Sequence, residues 1–249
     1  MLTIPVVEAV DEPNEEVDDP SALGLAELLL KNHCQVDGMV RDEDLQAVLI
    51  PRFLGIAVTS FTVFSLALAM LLSLMPVENL PGFLKEAWIR SPSQAGVSLW
   101  LAYTFGLIVA TGVCLPSFYF YGLLSGVRIT LLQVTAHMMQ GMAATSLMLL
   151  GLLPIYVAYV LGMIVFHATG TSIRPMIYIG LALPFVAGLY GVRTIYRGFM
   201  QLADTLPPER RCRRSCFLRR LTVACSACYT TVTPVMIYKV WEIGSQWPW

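Results

Sequence analysis

The chain has 249 residues, of which 56% are hydrophobic and only 13% are charged, and its mean hydropathy is +0.66. Soluble domains carry about 25% charged residues, so this composition excludes an ordinary water-soluble globular protein. The net charge is −1, yet residues 1–44 hold twelve of the seventeen acidic residues and two of the sixteen basic residues, which gives this segment a charge of −10. The sequence therefore predicts an acidic N-terminal region joined to a membrane-embedded body with basic edges.

The N-terminal region is acidic and contains proline, whereas a secretory leader has a positive start followed by an apolar run. We predict that residues 1–20 form a disordered acidic tail, because they bury too little apolar surface to offset the entropy of ordering. A short amphipathic helix is expected after Pro20, which suits a first helical turn, and a second from about Asp42 to Ile50. Residues 21–50 are therefore predicted to be amphipathic helices on the cytoplasmic face, preceding a transmembrane helical domain at 51–249.

Five segments of the chain are long and apolar enough to cross a hydrocarbon core, which requires about 20 residues. The predicted spans are residues 53–75, 97–115, 131–153, 176–195 and 221–240. The predicted fold class is thus an all-α polytopic integral membrane protein with about five transmembrane helices.

Prolines mark several predicted helix ends. Pro51 separates the second cytoplasmic helix from the first span, and Pro116 ends the second span. The apolar run of the third span continues well beyond a single straight crossing, and Pro154 lies where this run should break or kink. Residues 155–166 are therefore expected to be either a helix extension or an interfacial segment.

Basic residues predict the orientation of the five spans. With the N-terminus in the cytoplasm, twelve of the sixteen lysines and arginines fall on the cytoplasmic side, as the positive-inside rule requires. The C-terminus then lies on the outer side, whether periplasmic, extracellular or lumenal. All tryptophans fall on that outer side, where amphipathic rings settle at the interface: Trp88, Trp100, Trp241, Trp247 and Trp249.

The segment between the fourth and fifth spans is predicted to be an arginine-rich cytoplasmic loop. Near an anionic leaflet each such charge contributes about 1 kcal/mol of attraction. An orientation signal with lipid headgroup contacts, or a specific site for anionic lipids or a partner protein, both fit this pattern. Nucleic acid does not fit, because the arginines are not interleaved with a series of aromatic residues on which bases could stack; Phe217 is the one aromatic residue among them. The candidate residues are Arg210, Arg211, Arg213, Arg214, Arg219 and Arg220.

Four cysteines in and near this loop have the spacing C-x3-C-x8-C-x2-C, which resembles that of zinc sites. However, Cys225 and Cys228 fall inside the fifth predicted span, whereas Cys212 and Cys216 lie in the loop, and a closed zinc site needs four thiolates together. We expect reduced cysteines that act as small packing residues, with no metal and no cofactor. Acylation of the two loop cysteines is an alternative.

Three polar residues share one face of the third span: Gln133, His137 and Gln140. One interpretation is a path for protons or a polar substrate, with His137 as the titrating group. The other is a hydrogen-bonded seam between helices, where each bond contributes about 0.6 kcal/mol. The predicted spans contain no Asp or Glu, and the chain shows no catalytic motif, so we expect no enzyme activity.

Small residues four positions apart predict places where helices approach closely. The pairs are Gly106 with Ala110, Gly141 with Thr145, and Ala187 with Gly191.

The layout of residues 40–249 resembles that of Yip1-type membrane proteins, which have a cytosolic acidic N-terminal region, about five clustered spans and a short C-terminus on the far side. The stretch LPSFYFYG at 115–122 is similar to aromatic and proline stretches of bacterial relatives, while the D-L-Y-G-P motif of eukaryotic members is not present. The resemblance implies a non-enzymatic protein that organises membranes or recruits partners.

These observations predict a membrane scaffold or accessory subunit that binds partner helices and anionic lipids. Its expected partners are other membrane subunits or copies of itself, and no nucleic acid. A small transporter or channel subunit that uses the polar face of the third span is the alternative.

Overall fold

The structure is a computed structural model that describes residues 22–31, 33–124, 130–166, 170–203 and 208–246, although some helical side chains, including all those of residues 201–203 and 208–222, are outside the description. The predicted acidic tail lies outside the described residues. Within these ranges the secondary structure is entirely helical. The α-helices are α1 (Ala22–Lys31), α2 (His33–Arg41), α3 (Glu43–Ser73), α4 (Gly82–Arg90), α5 (Pro92–Leu124), α6 (Leu131–Val165), α7 (Gly170–Ala203) and α8 (Pro208–Gln246), and a 3-10 turn at Val77–Asn79 precedes α4.

Four described helices are long and apolar enough to cross a membrane. The qualifying segments are Leu45–Ser73, Pro92–Phe120, Leu131–Val165 and Ile173–Gly198, with mean hydropathies of 2.1, 1.8, 2.3 and 1.7. They coincide with the first four predicted spans and indicate insertion into a membrane. The fifth predicted span, 221–240, lies within α8, whose side chains are described only in part.

Several predicted helix ends at prolines are wrong. Pro51 lies inside α3, so the expected short helix from Asp42 to Ile50 and the first span are one helix of 31 residues. Pro116 likewise lies inside α5, which continues to Leu124. Of the two alternatives for residues 155–166, the structure has the helix extension, since α6 continues through Pro154 to Val165. A proline removes one backbone hydrogen bond, whereas a broken helix in an apolar environment leaves several backbone groups without partners, so the continuous helix is favoured.

The helices pack as a bundle in which α3 contacts α6 and α5, α6 contacts α7, and α8 lies along α5 and contacts α7. The main core is built from aromatic and leucine side chains of α3, α5 and α6, such as Phe61, Phe64 and Leu149. Leu84 and Trp88 of α4 and Trp241 of α8 close this core at one end, which we call the α4 end. Trp88 and Trp241 are only 3% and 8% exposed, so they pack inside the protein and not on its lipid-facing surface.

The start of α7 and the turn that follows α3 also lie at the α4 end. The Arg174 guanidinium of α7 donates to the Glu78 carbonyl oxygen at 3.3 Å, which ties the start of α7 to the turn after α3. The opposite end carries α1 and α2, together with the start of α3. The segments that the predicted topology places outside are thus gathered at one end of the bundle.

The close helix approaches predicted from small residues are confirmed. A Cβ atom added to Gly141 would lie 2.5 Å from Cγ1 of Ile195, and one added to Gly191 would lie 2.6 Å from the Gly141 carbonyl oxygen, so α6 and α7 nearly touch through their backbones. A Cβ atom on Gly106 would lie 3.0 Å from Cα of Ile237, which shows a similar approach of α5 and α8. Larger side chains at these positions would push the helices apart.

Candidate functional site: a buried polar cluster

Two of the three polar residues predicted on the third span lie deep in the bundle. His137 and Gln140 are each 1% exposed. Gln133 is partly exposed near the start of α6, where its backbone N–H donates to the Thr130 hydroxyl at 3.2 Å and completes the N-cap. The predicted polar face is therefore divided, and only His137 and Gln140 belong to one site.

The partner of this site is an acidic residue from α2. The Gln140 side-chain amide donates from Nε2 to Oδ1 of Asp37 at 2.7 Å, and Asp37 is 4% exposed. The Gln140 Oε1 lies 3.4 Å from Nδ1 of His137. Because the amide nitrogen faces a carboxylate, its oxygen faces the ring, and this arrangement assigns the imidazole proton to Nδ1. The three side chains form a chain of hydrogen bonds that joins α2 to α6.

A cluster of buried apolar side chains surrounds the Asp37–Gln140 hydrogen bond, which joins α2 to α6. It contains Leu25 and Leu29 of α1, Val36 and Val40 of α2, and the side chain of Ala136 on α6, with other residues of α1, α3 and α6. Burial of these side chains holds α1 and α2 against α6, and it keeps water away from the Asp37–Gln140 hydrogen bond. In such surroundings a lost hydrogen-bond partner is costly.

Helix α7 packs against the polar cluster at Gly198. A Cβ atom on Gly198 would lie 2.7 Å from Nδ1 and 2.9 Å from Cε1 of His137, so only glycine leaves room for the imidazole at this position. The cluster thus lies where α2, α6 and α7 meet.

This arrangement suits positioning better than proton transfer. The Gln140 amide stands between the two groups that titrate, and it donates to one while it accepts from the other. A carboxamide orients its neighbours in this way but does not exchange protons with them as a carboxylate or imidazole does. Hydrogen bonds between buried polar side chains favour one arrangement of the helices that carry them.

At this end of the bundle, sequence reasoning missed the buried polar residues Asp37 and Gln46. Gln46 of α3 is 1% exposed and donates from Nε2 to the Val40 carbonyl oxygen at 2.9 Å, which fixes the turn between α2 and α3. Asp37 was counted only as part of the acidic N-terminal region. The signal that could have found it is the apolar pair Val36 and Val40, which predicts a buried helix face beside Asp37.

The arginine-rich segment differs from its prediction in backbone structure. The expected loop is helical from Pro208 onward, as the first part of α8. The arginine side chains proposed as a binding site lie outside the described side chains, and so do those of Cys212, Cys216, Cys225 and Cys228. Cys114 is buried. Among the described residues, His, Cys, Asp and Glu side chains do not gather in threes around a point that could hold a metal ion.

Comparison of the chain with protein-family models, with curated proteins and with solved structures finds no match. The resemblance to Yip1-type proteins therefore stays a prediction from layout.

Proposed function

We propose that this protein is a non-enzymatic membrane scaffold or accessory subunit, whose helices and basic segment bind partner subunits and anionic lipids. The observation that carries this proposal is the Asp37–Gln140–His137 cluster. Polar side chains inside a membrane bundle usually mark either a transport path or a contact between helices. Here they hydrogen-bond to one another across α2 and α6, and this pattern supports an interhelical contact.

The proposed topology has five crossings with a cytoplasmic N-terminus. The continuous α8 lies along the full apolar helix α5 and supports a fifth crossing. The excess of lysine and arginine on the side of α1, α2 and the start of α8 supports the orientation. The acidic tail and the arginines of residues 210–220 then share the cytoplasmic side, where opposite charges suit them to different partners or to each other.

Purification in mild detergent, followed by mass measurement of co-eluting chains, tests the accessory role. We expect other membrane subunits to co-elute at a fixed ratio, and to be lost when the six arginines of residues 210–220 are replaced by glutamine. Replacement of a partly exposed basic residue elsewhere, such as Lys85→Gln, should leave them bound. A chain that elutes without partners from its native membrane contradicts the proposal.

The transporter alternative is tested by flux through reconstituted protein. We expect the His137→Ala variant to lose stability, since it removes a buried hydrogen-bonded ring, without abolishing any flux. Substrate flux through the purified protein that disappears on this single substitution would favour the transporter.

A further inference from the structure

Two cavities adjoin at the α4 end of the bundle. The first has a volume of about 140 Å³ and polar walls that include Glu86, Arg90, Gln94, Ser98 and Ser245. The second has a volume of about 340 Å³ and apolar walls that include Leu99, Tyr103, Leu181, Phe185, Ile237 and Tyr238. Phe83 and Trp241 line both cavities, so the two share a wall.

The cavities follow one another along the interface between α5 and α8. On α5 the walls change from polar at Gln94 and Ser98 to apolar at Leu99 and Tyr103, and on α8 they change from Ser245 to Ile237 in the same direction. At about 1.5 Å per helical residue, the distance along α5 from Gln94 to Tyr103 is about 13 Å. Polar surface thus lies towards the end of the bundle, and apolar surface lies towards its middle. This is the orientation of an amphiphile in one leaflet of a membrane.

The polar cavity contains groups that need a partner. Ser98 is fully buried, and its hydroxyl has no hydrogen-bond partner among the described residues. Buried hydroxyls are nearly always hydrogen-bonded, so an unsatisfied one in a cavity wall points to a ligand or water. Glu86 and Arg90 lie one helical turn apart on α4, are exposed to solvent and carry opposite charges. A ligand that carries both charges would satisfy both residues.

The apolar cavity has the volume of a ligand pocket and opens where an acyl chain could enter. Ligand pockets in proteins range from about 300 to 1,000 Å³, and this cavity falls within that range. Phe83 and Tyr238 on its walls are 53% and 54% exposed, so the cavity opens to the surface of the bundle. In a membrane that surface meets lipid chains.

We propose that these cavities bind one phospholipid with a zwitterionic headgroup. Arg90 binds the phosphate, while Glu86 and the rings of Phe83 and Trp241 bind the ammonium group by charge and cation–π attraction. One acyl chain lies in the apolar cavity between α5, α7 and α8. This proposal requires insertion into a membrane and does not depend on the scaffold role.

Native mass spectrometry of the full-length protein in detergent tests the proposal. The six arginines of residues 210–220, which we propose bind anionic lipids, are replaced by glutamine in all proteins of this experiment. Each protein is incubated with equal amounts of phosphatidylcholine and phosphatidylglycerol that carry the same acyl chains. We expect one phosphatidylcholine to be retained per chain, in preference to phosphatidylglycerol. Leu181→Trp fills the apolar cavity and should reduce retention about tenfold, which corresponds to about 1.4 kcal/mol. Leu189→Trp is its control, because Leu189 on the same helix is 64% exposed and lines neither cavity.

The headgroup contact is tested separately with Arg90→Gln, a surface change that leaves the core intact. We expect it to reduce retention about two- to fivefold, as for the loss of one exposed ionic contact. Lys85→Gln removes a charge from the same helix at a residue outside both walls, and should have no effect. Preference for phosphatidylglycerol, equal retention by Leu181→Trp and Leu189→Trp, or a protein dimer without lipid would each overturn the proposal.

Discussion

Replacement of Asp37 by alanine should release the N-terminal helices from the bundle. The substitution removes the acceptor of the Gln140 amide, and Gln140 is only 1% exposed to bulk solvent. A hydrogen bond to a charged group contributes about 1.5 to 3 kcal/mol. Since 1.4 kcal/mol corresponds to a factor of ten, the fraction of molecules with α2 undocked should rise about 10- to 100-fold.

The labelling rate of a cysteine on the buried face of α2 measures the fraction of molecules in which α2 is undocked. Val36 lies on the buried face of α2 and is fully buried, so Val36→Cys in a background without native cysteines is protected from maleimide while α2 is docked. The labelling rate follows the undocked population as long as redocking is faster than labelling. Glu27→Gln is the control: this carboxylate pairs with Lys31 at 2.6 Å, but both side chains are mainly exposed, so its loss should change the rate little.

A double-mutant cycle decides whether the hydrogen bond itself is responsible. Asp37→Ala and Gln140→Ala should each accelerate labelling, and the double variant should be accelerated by clearly less than the product of the two effects, with a coupling of at least about 1 kcal/mol. If the two effects multiply, the residues act independently, and the cluster does not join α2 to α6.

Three further predictions concern packing, topology and the cysteines. Gly191→Ala should lower the melting temperature in detergent by the equivalent of about 1–3 kcal/mol, because the new methyl group meets the backbone of α6; Gly112→Ala, where no atom lies within 4 Å, should not lower it. Reporter fusions after Ser91 and Trp249 should report the outer side and one after Pro208 the cytoplasm, and a cytoplasmic signal at Trp249 would refute five crossings. Replacement of Cys212, Cys216, Cys225 and Cys228 by alanine should preserve folding, whereas elemental analysis that finds about one zinc per chain in the unaltered protein would contradict the absence of a metal site.

The helical class and the first four apolar segments follow from composition and hydropathy, but the helix ends do not. Pro51, Pro116 and Pro154 are local signals for a break, and in water they would often end a helix. Inside a bundle the cost of one missing hydrogen bond is smaller than that of a break, and neighbouring helices hold the chain straight enough to continue. The low helix propensity of proline alone does not predict that these helices continue, because the deciding interactions come from neighbouring helices.

The sequence predicts the part of the candidate site on α6 but not the part on α2. His137 and Gln140 are visible in the sequence as polar residues within an apolar run. Asp37 lies 103 residues before Gln140 in the sequence, within an acidic region. Other charged residues of that region, such as Glu27 and Lys31 of α1, are mainly exposed. Whether a given acid faces solvent or the bundle depends on the docking of α2, which is a tertiary contact. The small-residue pairs were predictable because close approach requires them wherever the partner helix lies.

The two ends of the bundle hold separate polar sites, and this separation predicts how each site should respond to mutation. At the end with α1 and α2, the Asp37 carboxylate is bonded to an amide of the same chain. At the α4 end, the Ser98 hydroxyl has no such partner among the described residues. No described residue of the polar cluster lines either cavity, so Asp37→Ala should accelerate labelling at position 36 without changing lipid retention, and Leu181→Trp should do the reverse. Effects at sites that share no partners are additive within about 0.5 kcal/mol, and the double variant measured by both assays should show the two single effects unchanged. A larger deviation would mean that α6 and α7 couple docking of α2 at one end to lipid binding at the other.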